Sequence, residues 1–361
     1  KHGIKLVLGY TVEGFKEKDN GVEVLLKDNP SLQADMVVLA IGVTPDTALA
    51  KEAGLELGIK GSIVVNDRME TSVPDIYAAG DAVQVKHYVT GDDALISLAG
   101  PANKQGRIIA DNICGGDSRY LGSQGSSVIK VFDMTAATTG INETNAKKSG
   151  LEVDTVILSP MSHAGYYPGG KVMTMKVVFE KETYRLLGAQ IIGYEGVDKR
   201  IDVLATAIHA GLKATQLKDL DLAYAPPYSS AKDPVNMAGF MIDNIAKGTL
   251  KQWHLEDMDK ISKDKSVVLL DVRTVGEFNR GHMDGFRNIP VDELRERINE
   301  IEKGKPVYLI CQSGLRSYIA SRILEGNGYE TYNFSGGFRF YDAVVNDHAL
   351  IERSYACGMD Y

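Results

Sequence analysis

The apolar positions of the chain fall into three successive textures. In the first, Val22–Leu26 and Met36–Ile41 predict strands, and the second is apolar throughout, as a strand covered on both faces should be. That run ends in Gly42-Val43-Thr44-Pro45, where a glycine leaves bare backbone for the close approach of a flat ligand. Ala48–Gly54 has helical spacing, Ser62–Val65 predicts a short strand, and an Ala/Gly/Asn-rich helix is expected from Pro101 to Ile113. From Ser126 the pattern turns antiparallel in character. Strands are predicted at Val128–Phe132, Thr155–Leu158, Met173–Phe179 and Ala189–Ile192, then a helix over Val197–Ala210, which makes an α+β unit. After a short polar stretch near residues 246–256, where Trp253 reads as an anchor, strands alternate with helices: strand Val267–Val272, helix Val291–Ile301, strand Val307–Ile310, helix Arg316–Glu325, strand Thr331–Asn333. Such alternation predicts a small parallel sheet wrapped by helices.

The 361 residues suggest two or three folded units at roughly 100–200 residues each. A 44% apolar and 24% charged composition is that of a globular protein with a real core. The formal charge of -8 disfavours nucleic acid or an anionic membrane as the main partner while leaving room for a local basic pocket. Apolar runs such as Met36–Ile41 fall far short of the roughly 20 residues that span a bilayer, so no membrane crossing is expected. Cys114, Cys311 and Cys357 are too few and too scattered for a disulfide framework or a metal site. A reducing, cytoplasmic setting and single-thiol chemistry are expected instead. The chain opens at Lys1 without Met or a leader-like segment, which reads as a cut end.

The strongest chemical signal is Cys311-Gln312-Ser313-Gly314-Leu315-Arg316-Ser317, between a buried-type strand and a helix. At such a turn successive backbone N–H groups and the helix dipole stabilise an anion, so Cys311 is expected to be a nucleophilic thiolate and Arg316 to hold an anion in its planar fork. These residues resemble the active loop of the rhodanese sulfurtransferases, together with Leu270-Asp271-Val272-Arg273, Glu277-Phe278 and Gly281-His282-Met283. Related phosphatase loops place one more residue between Cys and Arg, so this tighter cradle suits a sulfane sulfur. By this resemblance Cys311 carries a persulfide, whereas Asp271, Arg273 and His282 are structural.

A second set, Thr71-x-x-x-x-Ile76-Tyr77-Ala78-x-Gly80-Asp81-Ala82 followed by Leu98-Ala99-Gly100-Pro101-Ala102-Asn103, is similar to the second flavin half of the pyridine nucleotide-disulfide oxidoreductases. The resemblance implies FAD contacts at Thr71, Gly80, Asp81, Ala82, Ala99 and Tyr224, with Asp81 accepting from ribityl hydroxyls. His163-Ala164-Gly165-Tyr166-Tyr167-Pro168 and Leu222-Ala223-Tyr224-Ala225-Pro226-Pro227-Tyr228, running on to Lys232, match the coenzyme A (CoA)-disulfide reductase branch, a group that includes NADH-dependent persulfide reductases. That branch implies Tyr166 and Tyr224 at the redox centre across a homodimer, Tyr167 and Tyr228 in packing, and Asn103 and Lys232 against CoA. Cys114, before Gly115-Gly116, reads as structural, and Cys357 lies in a tail from which a resolving role is remote.

The resemblance implies an α/β chain of four parts: the end of an NAD(P)-binding domain at 1–47, the second part of an FAD-binding domain at 48–122, an α+β dimerisation domain at 123–247 and a rhodanese α/β domain at 255–350. Expected cofactors are FAD, NAD(P)H and CoA. No Gly-x-Gly-x-x-Gly occurs, so the nucleotide loops and the disulfide-attacking cysteine would precede Lys1. The expected activity is reduction of CoA disulfide, persulfide or polysulfide, with Cys311 relaying sulfane sulfur. A sulfurtransferase module on a dimeric scaffold is the alternative.

Overall fold

The computed structural model describes residues 3–345, and these divide into two compact units, one holding residues 3–44 with 342–345, the other spanning 45–341. In the first, β1 (Val12–Lys18), β2 (Gly21–Leu26) and β3 (Asn29–Ala34) form an antiparallel meander. Met36–Ile41 is not a strand. A fully apolar run needs neighbouring strands to bury both faces, and this one pairs with none among the described residues, leaving Met36 and Val38 each 76% exposed.

The second unit opens with α1 (Ala48–Glu52), β4 (Ile63–Val64), β5 (Val83–Lys86), β6 (Asp93–Ala94) and α2 (Ala99–Ile113). Its largest sheet is antiparallel, in the order β7-β8-β11-β10-β9: β7 (Ser127–Val131), β8 (Met134–Gly140), β9 (Val153–Leu158), β10 (Thr174–Glu180) and β11 (Leu186–Gly193), with α3 (Glu143–Lys148) between β8 and β9. Met175, Val177 and Phe179 of β10 alternate into a core closed by α4 (Val197–His209) and α5 (Pro234–Ala246). Helix α4 buries Val197, Ile201, Leu204 and Ile208, the stripe that helical spacing predicts. Neither β8, whose Thr/Ala/Gly sequence lacks apolar alternation, nor α5 was expected from the pattern.

A five-stranded parallel sheet follows in the order β12-β16-β15-β13-β14. Its strands are β12 (Gln252–Trp253), β13 (Val268–Asp271), β14 (Arg287–Asn288), β15 (Val307–Ile310) and β16 (Thr331–Phe334), accompanied by α6 (Met258–Ile261), α7 (Val275–Arg280) and α8 (Leu315–Glu325). Leu270 and Leu309 pack on one face, Ile310 and Phe334 on the other, as a sheet covered on both sides requires. Trp253 belongs to the edge strand rather than to a linker; it is 2% exposed and packs on Phe286, Tyr308 and Phe334. The helix expected over Val291–Ile301 is a run of turns with a 3₁₀ segment at Ile298–Glu300. Val291 and Leu294, like Ile298 and Ile301, stand three apart, which fits the 3₁₀ period, and the bonds Leu294 N→Val291 O (3.3 Å) and Ile301 N→Ile298 O (3.1 Å) follow it.

The two five-stranded sheets meet at β9. On its free edge Ile157 N donates to Ser335 Oγ (3.1 Å), the Thr155 carbonyl accepts from Gln252 Nε2 (3.0 Å), and Asp154 faces His254 Nε2 at 3.3 Å. Polar groups that would otherwise be an open strand edge are thereby used to dock the second sheet.

Candidate active site

Strand β15, buried at Val307, Leu309 and Ile310, delivers Cys311 to its C-terminal end at 1% exposure. The chain must then enter α8 within three residues, and Gly314 makes the turn at φ 100°, a conformation that L side chains rarely adopt. The turn points Gly314 N–H at Cys311 Sγ (3.1 Å), and Ser317 Oγ reaches the same sulfur at 3.2 Å. The N-terminus of α8 has no side-chain cap, so its dipole adds positive potential under the loop. Support comes from outside as well: Asn333 Nδ2 donates to the Gly314 carbonyl (3.1 Å), and Phe338 N to the Cys311 carbonyl (2.8 Å). A Cβ on Gly337 would stand 2.7 Å from Ser313 N, so glycine there lets the two segments touch. The Gly314 N–H and the Ser317 hydroxyl are thus both within hydrogen-bond reach of the sulfur.

Arg316 turns its fork to Glu277, with Nη1–Oε2 and Nη2–Oε1 both 2.7 Å. Glu277 also completes a capping box with Thr274 at the start of α7. The Arg316 hydrogen bonds, outweighing the opposing effect of burial and helped by Thr274, hold the Glu277 carboxyl down at about 2. Asp271 and Arg273 are a buried pair (Nη2–Oδ2 2.8 Å), with the Arg273 guanidinium 3.9 Å from the Phe338 ring centre. His282 is exposed and stacks on Phe278.

Tyr166 and Tyr224 are brought together, their phenolic oxygens 2.8 Å apart. The bond to Tyr166, seconded by burial, pushes the Tyr224 phenol above its usual range. The loops that carry them rest on Arg200, which is 1% exposed on α4. Its guanidinium donates to Asp233 Oδ2 (3.0 Å), the Ser162 carbonyl (2.9 Å), the Tyr228 carbonyl (3.3 Å) and Ser229 Oγ (3.2 Å). Removing either charge of such a pair costs about 3–5 kcal/mol because the other is left buried and alone. Sequence reasoning passed over Arg200, although a charged residue between Val197 and Leu204 on the apolar stripe of α4 signals a buried partner. Lys199, Arg200, Tyr224 and Tyr228 line a cavity of about 500 Å³ with Ser162 and His163. Tyr167 packs edge-on against His163, and Tyr228 is 72% exposed at the rim.

Gly80, Asp81 and Ala82 form a 3₁₀ turn fastened to α2 by Gly80 N→Gln105 Oε1 (2.7 Å). Asp81 is exposed beside the N-terminal turn of α2, which begins at Ala99 without a side-chain cap. A free carboxylate next to open helix N–H groups fits one side of an FAD: the carboxylate accepts from hydroxyls, the N–H groups donate to electron-rich atoms. Thr71 is half-buried and bonds the Val73 carbonyl (3.1 Å), which serves its own turn. Asn103 lies exposed on α2. Lys232 lines a second cavity of about 430 Å³ with Phe240 and Met241 of α5 and with Ser313, Gly314 and Leu315 of the cysteine loop. Cys114 is exposed and free at the end of α2; Cys357 lies outside the described residues. Among the described residues no cluster of His, Cys, Asp or Glu could hold a metal ion, and no helix is long and apolar enough to cross a membrane.

The Glu277 shift has a consequence for stability. A depressed carboxyl stabilises the fold above its ordinary value of 4.5, and that contribution is lost as pH falls toward about 2. Urea unfolding at about pH 5 and about pH 3 should show a smaller loss of stability for Glu277→Gln than for the parent chain; equal losses would contradict the assignment.

Residues 1–106 match the pyridine nucleotide-disulphide oxidoreductase family, 126–234 its dimerisation domain, and 254–343 the rhodanese-like domain. The solved structure of reduced Bacillus anthracis CoADR-RHD is 46% identical and superposes with a TM-score of 0.90 over 94% of this chain and 60% of that one. A NAD-dependent persulfide reductase from A. fulgidus is 40% identical, with a TM-score of 0.83 over 92% of this chain and 61% of its own. Among curated proteins, a CoA-dependent NAD(P)H sulfur oxidoreductase of Pyrococcus abyssi is 38% identical over 65% of this chain and 52% of its own. The chain thus spans about half the length of the curated relatives it matches. The chain thus carries, in order, a pyridine nucleotide-disulphide oxidoreductase region, that family's dimerisation domain and a rhodanese-like domain.

Proposed function

We propose that this chain works in a flavin-dependent NAD(P)H reductase of CoA disulfide, CoA persulfide or polysulfide, in which Cys311 relays sulfane sulfur. The observation that carries this reading is the Cys311 sulfur, held by Gly314 N–H and Ser317 O–H in the same compact unit as the Tyr166–Tyr224 pair. Relatives named for sulfur oxidoreduction and for CoA disulfide reduction support it over a carrier-only module.

FAD, when bound, would supply the electron transfer from NAD(P)H to the sulfur chemistry. Asp81 would accept from its hydroxyls, while Gly80, Ala82, Ala99 and the α2 N-terminus present backbone to it. Tyr224 stays protonated at neutral pH, so it can donate to a leaving thiolate while Tyr166 bonds to the oxygen left behind. Lys232 and Asn103 would meet CoA, the lysine as a point charge for a phosphate. At Cys311 the thiolate attacks the outer sulfur of a persulfide: the Sγ–S bond forms, the S–S bond of the donor breaks, and the thiolate R–S⁻ leaves with the electron pair. Transfer onward to the CoA thiolate reverses the same exchange.

The working form is a homodimer in the cytoplasm, where single thiols remain reduced. Strand β7 and the turn after it support the pairing: Val128 (58%) and Ile129 (61%) of the strand and Phe132 (51%) of the turn are exposed within the region that matches a dimerisation domain. Replacing Ile129 and Phe132 together by Asp should shift sedimentation from dimer to monomer; an undisturbed dimer would put the contact elsewhere. In the flavin-loaded enzyme, Cys311→Ser should lower sulfane transfer to CoA at least about a hundredfold while NAD(P)H-driven reduction of CoA disulfide persists. Undiminished transfer would refute the relay.

A further inference from the structure

Donors of sulfane sulfur differ in what they ask of a cysteine loop. A thiosulfate-type donor has an oxyanionic head, and its leaving group, sulfite, departs as an oxyanion. A persulfide or polysulfide ends in sulfur and leaves as a thiolate or a shorter sulfur chain. The first class needs a cation beside the cysteine; a guanidinium fork is the side chain shaped for it.

Here that fork is closed from within. Arg316 gives both terminal amino groups to the two oxygens of Glu277 at 2.7 Å. Glu277 is itself fixed, because its Oε2 also accepts from Thr274 N (3.0 Å) and Thr274 Oγ (2.9 Å), so it cannot swing away without uncapping α7. The carboxyl, held at about 2, stays ionised through neutral pH. Arg273, whose side chain also meets the loop, is 2% exposed, paired with Asp271 and laid on Phe338, and its Nη1 reaches the Gln312 amide oxygen at 3.4 Å. The hydrogen-bonding groups at the sulfur are neutral: Gly314 N–H, and the Ser317 hydroxyl, which the sulfur shares with the Gly314 carbonyl (3.1 Å).

Resting on the reading that Cys311 carries sulfane sulfur, we propose that Glu277 is a specificity-determining residue: by occupying the Arg316 fork it excludes oxyanionic donors and leaves Cys311 to persulfides and polysulfides. The excluded step is chemically complete. The Cys311 thiolate would form an Sγ–S bond with the outer sulfur of thiosulfate, the S–S bond would break, and sulfite would leave with the bonding pair. The step needs a cation for the departing oxyanion, and Glu277 already holds both ends of the Arg316 fork that would face it.

The test uses the full chain with inorganic thiosulfate and inorganic tetrasulfide as donors, following the persulfide formed at Cys311 by mass and fitting kcat and KM for each. The parent chain should favour tetrasulfide. Glu277→Gln, which keeps an oxygen for the Thr274 cap, should raise the thiosulfate-to-tetrasulfide ratio of kcat/KM by about tenfold or more, mainly through a lower KM for thiosulfate. Glu277→Ala should do the same, and adding Arg316→Gln to either should cancel the gain. If Glu277 merely ties α7 to α8, both donors suffer alike, the ratio stays fixed and the proposal falls. Equal use of both donors by the parent chain overturns it without any variant. Failure of the parent chain to take sulfur from either donor removes the relay reading itself, a result distinct from a fixed ratio between two working donors.

Discussion

The site depends on one backbone constraint: a strand must become a helix within three residues while keeping a sulfur buried beneath the turn. Gly314 meets it at φ 100°, where a side chain would cost about 1–2 kcal/mol of strain. The same geometry aims the Gly314 N–H at Cys311 Sγ and leaves the α8 N-terminus uncapped under the loop. The turn that the backbone needs is therefore also the turn that brings donors to the sulfur.

The loop is held by its neighbours rather than by itself. Asn333, Ser335, Gly337 and Phe338 lie within six residues of one another after β15 and α8; Asn333 and Phe338 bind the loop's carbonyls, Gly337 presses on Ser313, and Ser335 takes the Ile157 N–H from the edge of β9. One short segment thus supports the sulfur and docks the parallel sheet on the antiparallel one. On the antiparallel side, buried Arg200 gathers the loops of Tyr166 and Tyr224 in the way that segment gathers the cysteine loop. Both candidate centres are therefore positioned by buried polar groups whose partners are fixed, which suits chemistry that needs defined distances.

Much of this was legible in the chain. Strand β15 and helix α8 follow from apolar runs, the glycine between them marks the turn, and the motifs around Asp81, Tyr166 and Tyr224 carry the family resemblance. What the pattern could not give were features decided by contacts far apart in sequence. Met36–Ile41 reads as a buried strand, yet burial depends on partners that periodicity does not see. Helix α5 was not expected either; at its Gly239 a Cβ would stand 2.2 Å from Lys218 N, so the glycine permits a close packing that sequence alone does not announce. The fork of Arg316 reads as an anion seat, because nothing in the local sequence says that Glu277, 39 positions away, will fill it.

The central claim is that Cys311 is the sulfur the fold has prepared to carry sulfane sulfur. Mass analysis of peptides from the chain after brief exposure to CoA persulfide addresses it directly, because exposed Cys114 serves as an internal comparison. The account predicts one added sulfur on the peptide containing Cys311 and its return to solution when CoA thiol is supplied. Sulfur found on Cys114 instead, or none on Cys311, would contradict it.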